Sequence, residues 1–478
     1  MNDMEKVFSI IDASRDEMIA TLSRWIKIPS VQGDALEGMP FGENNQKMLE
    51  EAQRTAGGMG FDTRNVDNYL LEVNYGEGER TLGILGHMDV VPEGEGWSHA
   101  PYGAEIEDGR MYGRGTSDDK GPMVSALYAL KAVRDAGIEL KDKVRVLLGL
   151  NEETGSADIA YYKRENAMPD YGFSPDADYP VINCEKGGLG INLDGELKKG
   201  AGAFEIKSIK CGTRVNIVPN LATAMLNISA AHCKELLAKT GDLAKALEVA
   251  PGETEGECLL TAHGTASHAA MPENGVNAAG TLCMALDAMG AEQPVITALA
   301  KLLGLEYTGE KLGIKMSDEV SGVLTCNFGI LTCESGHVLA MLDIRYPISA
   351  KSSELLSTVA NTVAPYGIAA TLRGDSKPLY VPEDHFVVQG LLRAYERVTG
   401  EKGYTIAIGG GTYARSMDNA VAFGNAYPGT DNRIHMPDEF VNLDEFVRNA
   451  KMIAAAIIEL AASKRLNAQF AIKGAVQQ

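Results

Sequence analysis

Five short strings in this sequence carry side chains able to hold a divalent cation or move a proton. In Leu85-Gly-His-Met-Asp89, His87 ends the apolar run Thr81–Gly86. A histidine leaving a buried strand suits a metal ligand, and Asp89 can accept its ring N–H, fixing the tautomer and raising basicity. A capped core histidine would leave the same trace. Gly113-Arg-Gly-Thr-Ser-Asp118-Asp-Lys-Gly121 sets two adjacent carboxylates at a loop-to-helix transition. Capping is one reading of them. Relief of their mutual repulsion by a bound cation is the other. Asn151-Glu152-Glu153-Thr-Gly155 follows the apolar run Val144–Leu150. Neighbouring side chains point apart, so one Glu can bind metal while the other handles protons. A solvated acidic loop is the alternative. Phe173-Ser-Pro-Asp176-Ala-Asp178 and Pro428-Gly-Thr-Asp-Asn-Arg-Ile-His435 complete the set. Singly, each string suits a structural role. Jointly, two histidines and three carboxylates at strand ends are the ligand mix of a dinuclear zinc-type hydrolase site.

Three further places bear on a ligand. Arg345, in Asp343-Ile-Arg-Tyr-Pro347, has the planar fork that grips a carboxylate, or is a strand-end surface arginine. Gly409-Gly-Gly-Thr-Tyr-Ala-Arg415 lets backbone amides approach a ligand closely, or is a flexible turn. His268 lies in a polar loop before a helix expected at Val276–Met289, where a capping or surface role is the plain reading.

The elements that must position these residues alternate. An apolar stripe from Val7 to Trp25 predicts one helix over the first ~25 residues. Apolar runs at Tyr69–Val73, Thr81–Leu85 and Val144–Leu150 predict strands, with a helix at Gly121–Ala136 closed by Gly137. Strands alternating with helices imply an α/β sheet, whose functional residues sit beyond the carboxyl ends of strands. From Gly187 the character changes to α+β. A hairpin is expected at Val323–Thr332 and Val338–Tyr346, then a helix at Ser352–Ala364 and a strand near Ala369–Arg373. After Pro382 the α/β rhythm returns, with helices at Phe386–Val398 and Leu443–Leu460. The expected organisation is one α/β domain split into 1–186 and 381–478, with 187–380 inserted.

Composition narrows the class. Of the 478 residues, 44 are Lys or Arg and 65 Asp or Glu, a net charge of −21. That balance offers no basic face for a nucleic-acid backbone. No apolar run reaches the roughly 20 residues of a membrane span, and Met452–Ala462 is interrupted by Glu459. No secretory signal opens the chain. The seven cysteines form no CxxC pair, which suggests buried thiols of a reducing cytoplasm. Nucleophile-elbow, phosphate-loop and dinucleotide fingerprints are absent.

Taken together, the strings around His87, Asp118, Glu152, Asp176 and His435 resemble the M20 metallopeptidase family over nearly the whole length, and within it the PepV-type bacterial dipeptidases, relatives of carnosinase. The resemblance implies a mixed-sheet α/β catalytic domain for two metal ions, with an inserted α+β lid. It implies two divalent ions, zinc first, with manganese or cobalt compatible. One ion would be held by His87, Asp118 and Asp176, the other by Asp118, Glu153 and His435, with Asp118 bridging and a cis Asp118–Asp119 peptide. Glu152 would be the general base and Asp89 the residue that orients His87. His268 would stabilise the oxyanion. Asn216, Arg345, Gly409, Gly410, Gly411 and Thr412 would hold the substrate. The implied activity is hydrolysis of unblocked dipeptides by a metal-bridged water, in a cytoplasmic monomer whose enlarged lid replaces a dimer partner. Related deacylases and desuccinylases of N-acyl amino acids share the ligand set, and a non-catalytic binding relative would lack a ligand or the base.

Overall fold

The apolar runs beside the candidate donors form neighbouring parallel strands. Thr81–His87 lies between Lys143–Gly149 and Tyr171–Ser174 and runs parallel to both. The computed structural model describes residues 2–200 and 202–462. The chain divides into two units. One comprises the residues up to Asn183, Tyr380–Ile406 and the chain from Gly411 on; the other comprises Cys184–Leu379 with Ala407–Gly410.

The sheet of the first unit runs Asp62–Val66, Leu70–Tyr75, Lys143–Gly149, Thr81–His87, Tyr171–Ser174, Ala420–Ala422, Val181–Glu185. Its outer pairs are antiparallel and its centre parallel, so it is mixed, as the fold class implied. The central strands are buried because helices cover them, which is why they read as continuous apolar runs. Lys120–Asp135 is buried on nearly every side, packed against Leu443–Ala461 and the N-terminal helices. Its Ala, Leu and Met content favours a helix, and Gly137 follows it with φ of +72°.

The single N-terminal helix expected from the stripe is two helices, Asp3–Ala13 and Arg15–Ile26. The Ser14 hydroxyl donates to the Ile10 carbonyl at 2.9 Å, and Ser14, with φ −90° and ψ 0°, separates the two helices. Helices Glu43–Gly58, Ala157–Glu165 and Pro294–Leu302 and the short hairpin Glu105–Glu107 with Arg110–Tyr112 had no counterpart in the sequence reading.

The second unit is an eight-stranded, fully antiparallel sheet with helices packed on it around one core, the α+β pattern expected of the insert. Its hairpin joins Thr325–Glu334 to His337–Tyr346 through Ser335 and Gly336. Both have positive φ, the primed turn that matches strand twist. All seven cysteines are buried and none forms a disulfide.

Two central strands approach closely at a pair of glycines. Gly172 pairs with Gly83, and a Cβ at 172 would run into the Gly83 carbonyl oxygen. Gly172→Ala should therefore cost about 1–3 kcal/mol in urea unfolding. An unchanged midpoint would refute this packing.

Candidate active site

His87 is the last residue of its strand and is buried. Its Nδ1 lies 2.9 Å from the main-chain carbonyl of Asp89 and 3.3 Å from the Asp89 carboxylate. In the neutral ring, donation from Nδ1 leaves the Nε2 lone pair available to a metal. Nε2 lies 3.0 Å from Asp118 Oδ1 and 3.6 Å from Asp176 Oδ2, yet it is buried and makes no hydrogen bond. The Asp89 carboxylate also has a task the sequence did not suggest. Its two oxygens accept the main-chain N–H groups of Glu152 and Glu153, each at 3.1 Å. Asp89 thus sets both His87 and the Glu-Glu turn.

Asp118 lies in the loop before Lys120–Asp135, and the Asp118–Asp119 peptide is cis. On its other side, His435 Nε2 is 2.8 Å from Asp118 Oδ2 and 2.9 Å from Glu153 Oε1. The structure therefore brings His87, Asp118, Glu153, Asp176 and His435 together. Asp119 turns the other way and accepts the His87 main-chain N–H at 3.1 Å. A carboxylate oxygen of Asp119 lies within 4.8 Å of ligand atoms of His87 and Asp176, so it also borders the donor set.

The electrostatics of this cluster are those of too many carboxylates in a buried place. Burial pushes Glu152 well above the ordinary carboxylate value, and Asp176, Glu153 and Asp118 add to the effect. Glu153 and Asp176 are raised for the same reasons, burial first and then the charge of Asp118. For Asp118 burial acts upward, but His435 and His87 outweigh it and hold the group below its usual range. Burial would lower the two histidines; the carboxylates outweigh it, raising His87 well above its usual value and His435 to about 11. The chemistry of the donors fits divalent cations: hard oxygens and imidazole nitrogens, with a buried Nε2 aimed among carboxylates.

A further pair escaped the sequence reading. Buried Asp158 accepts the main-chain N–H groups of Leu150 and Asn151 at 2.6 and 2.9 Å, and the Tyr413 hydroxyl at 2.5 Å. It ties the segment after the triple glycine to the turn that carries Glu152. Burial raises Asp158 to about 6, assisted by the Asp89 charge. Tyr413 stood inside the quoted glycine string, but nothing in the sequence coupled it to Asp158.

Other expected residues lie in the second unit. Ser267–His268 pairs with Ile217–Val218, and the Ala269 N–H donates to the Asn216 carbonyl at 2.9 Å, so His268 and Asn216 are neighbours. His268 Nδ1 accepts the Ala270 N–H at 3.1 Å, which makes Nε2 the protonated nitrogen of the neutral ring. Arg345 places Nε and Nη2 on Asp343 at 2.6 and 3.0 Å and Nη1 on the Gly409 carbonyl at 3.1 Å. Its side-on fork is thus spent on Asp343. In the first unit, Thr412 caps the short turn Tyr413–Ser416 through the Ala414 N–H. Gly411 leaves the Arg415 guanidinium space that a side chain would occupy.

A split α/β unit with acidic and imidazole donors beyond the carboxyl ends of parallel strands defines a class of hydrolase that works with bound metal. Residues 83–459 match Peptidase family M20/M25/M40, and the chain belongs to that family of peptide hydrolases. YtjP of Bacillus subtilis is 35% identical over 458 residues, covering 94% of this chain and 98% of its own. The Beta-Ala-Xaa dipeptidase of Lactobacillus delbrueckii subsp. lactis is 33% identical, covering 96% of this chain and 98% of its own. Human carnosine dipeptidase 1 shares the fold at a TM-score of 0.60 and 17% identity, over 96% of this chain and 99% of that one.

The charge pattern sets a sign for metal uptake. Ligands must be deprotonated to bind, and the surrounding carboxylates raise the pKa of both histidines, so protons compete with metal there. Affinity should therefore rise with pH, by about tenfold per unit for each proton displaced. Calorimetric titration of metal-free protein with zinc, between about pH 6 and 8 in buffers of different ionisation enthalpy, measures this. Uptake without proton release would contradict the charge assignment.

Proposed function

We propose that this protein is a metallo-dipeptidase that hydrolyses unblocked dipeptides with two divalent ions, zinc first and manganese or cobalt compatible. The observation that carries the reading is the convergence of His87, Asp118, Glu153, Asp176 and His435 beside the Glu152 turn. His87, Asp118 and Asp176 would hold one ion, and Asp118, Glu153 and His435 the other. Dipeptidase relatives spanning almost the full length support the substrate class. Bound ions of this kind polarise a carbonyl and lower the pKa of water toward ~7.

The chain's own residues do the rest. Glu152, which burial makes more basic than an ordinary carboxylate, takes the proton of the attacking water and returns it to the departing amine. Asp89 keeps His87 and the Glu152 turn in register. His268, a donor through Nε2, is assigned to the oxygen that gains charge, following the resemblance and its hydrogen bonding. Asn216, Arg345, Gly409, Gly410, Gly411 and Thr412 are assigned to the substrate's carboxylate end. With Nε and one Nη2 hydrogen on Asp343 and one Nη1 hydrogen on Gly409, Arg345 has one donor left on each Nη for that task. The enlarged second unit supports a protein acting as a single chain. Among the described residues no helix is long and apolar enough to cross a membrane, and a cytoplasmic location fits the buried, unbridged cysteines.

Glu152→Gln should lower kcat by about 10²–10⁴-fold while both ions stay bound, read by metal analysis beside dipeptide kinetics. Substantial residual turnover would remove Glu152 as the base. A parallel screen of free dipeptides against N-acyl amino acids should show cleavage of the former. Preference for the latter would make the protein a deacylase.

A further inference from the structure

Asp438 and Glu439 are adjacent carboxylates that turn to opposite sides. Glu439 is fully buried. Its Oε1 accepts the main-chain N–H groups of Gly115 and Ser117 at 3.0 Å and of Asp118 at 3.3 Å, and its Oε2 meets Arg114 Nη1 at 2.6 Å. Its main-chain carbonyl accepts the Gly113 N–H at 2.8 Å. The loop that ends on Asp118 is therefore wrapped around one carboxylate, a ring of amides closed by a guanidinium.

Asp438 faces outward and grips a different segment. Its Oδ1 accepts the main-chain N–H groups of Ser98 and His99 at 2.9 and 3.1 Å and lies 3.2 Å from His99 Nδ1. Its Oδ2 accepts the Ser98 hydroxyl at 2.8 Å. His99 in turn stacks on Tyr112 at 3.8 Å, one residue before Gly113. The turn between His435 and Asp438 needs such a grip. Arg433, His435 and Asp438 all have φ near +60°, a region that non-glycine residues adopt at a cost and keep only when their surroundings impose it.

We propose that Asp438 and Glu439 form a positioning pair for the metal centre. Glu439 fixes the loop bearing Asp118, Asp438 fixes the turn bearing His435, and together they set the two donors 2.8 Å apart. The inference rests on the reading above that Asp118 and His435 hold metal. Neither carboxylate touches substrate in this account; each acts through a ligand. Because Asp118 is shared by both ions and His435 serves one, the two positions have different expected effects.

The test titrates metal-free protein with Mn²⁺, counting free ion by electron paramagnetic resonance and following thermal unfolding in parallel. Wild-type protein should take up two ions. Asp438→Asn should keep one near wild-type affinity and weaken the second about 10–100-fold, and Glu439→Gln should weaken both by a similar factor. Asp142→Asn removes a carboxylate that pairs with Arg80 and Tyr171, away from the metal donors, and should lower the melting temperature without changing either affinity. If Glu439→Gln does not fold, Asp438→Asn decides the case. Two ions bound at wild-type affinity in Asp438→Asn would overturn the inference alone. A wild-type protein that does not take up two ions would overturn the metal reading and this inference with it.

Discussion

Asp118 lies 3.0 Å from His87 Nε2 and 2.8 Å from His435 Nε2, and a second carboxylate meets each of these nitrogens, Asp176 at 3.6 Å and Glu153 at 2.9 Å. Removing that much negative charge from water is costly unless positive charge is supplied in the same place. In the protein alone, the two imidazoles, whose pKa values these carboxylates raise, can supply part of it by binding protons. Two dications would displace those protons and supply the charge instead. Burial, with the neighbouring carboxylates adding to it, raises Glu152, Glu153 and Asp176, and the two imidazoles lower Asp118. The surrounding structure has to keep like charges close together.

That constraint accounts for the hydrogen bonding around the donors. Asp89 spends both oxygens on the amides of the Glu152–Glu153 turn. Asp158 holds the amides of Leu150 and Asn151, just before that turn, through one oxygen, which also accepts the Tyr413 hydroxyl. Asp119 holds the His87 amide, and the Lys120 ammonium donates to the Trp25 and Ile28 carbonyls at the end of an N-terminal helix. Each link joins a donor-bearing loop to a rigid element or to another loop. Substitutions at these positions would act on metal binding and on proton transfer through geometry.

Much of this was legible in the sequence, for a specific reason. Parallel strands buried on both faces read as continuous apolar runs, so the ends of Thr81–His87 and Lys143–Gly149 were visible, and with them the places of His87, Glu152 and Glu153. Asp176 follows the short buried strand Tyr171–Ser174, whereas His435 follows less regular backbone and was found by residue type. The break at Ser14 was hidden because the apolar stripe continues across it. Asp158, Tyr413 and Glu439 were not legible as site residues. They bind backbone amides and other side chains across long stretches of chain, and such contacts leave no period or motif. The expectation for Asp89 named the His87 ring as its partner and missed its grip on two amides. The expectation for Arg345 missed Asp343, two residues away on the same strand.

The most direct test is anomalous scattering from crystals of the zinc-loaded protein. Two peaks are expected, both contacted by Asp118, one also by His87 and Asp176 and the other by Glu153 and His435. A single ion, or ions bound away from these five residues, would contradict the account.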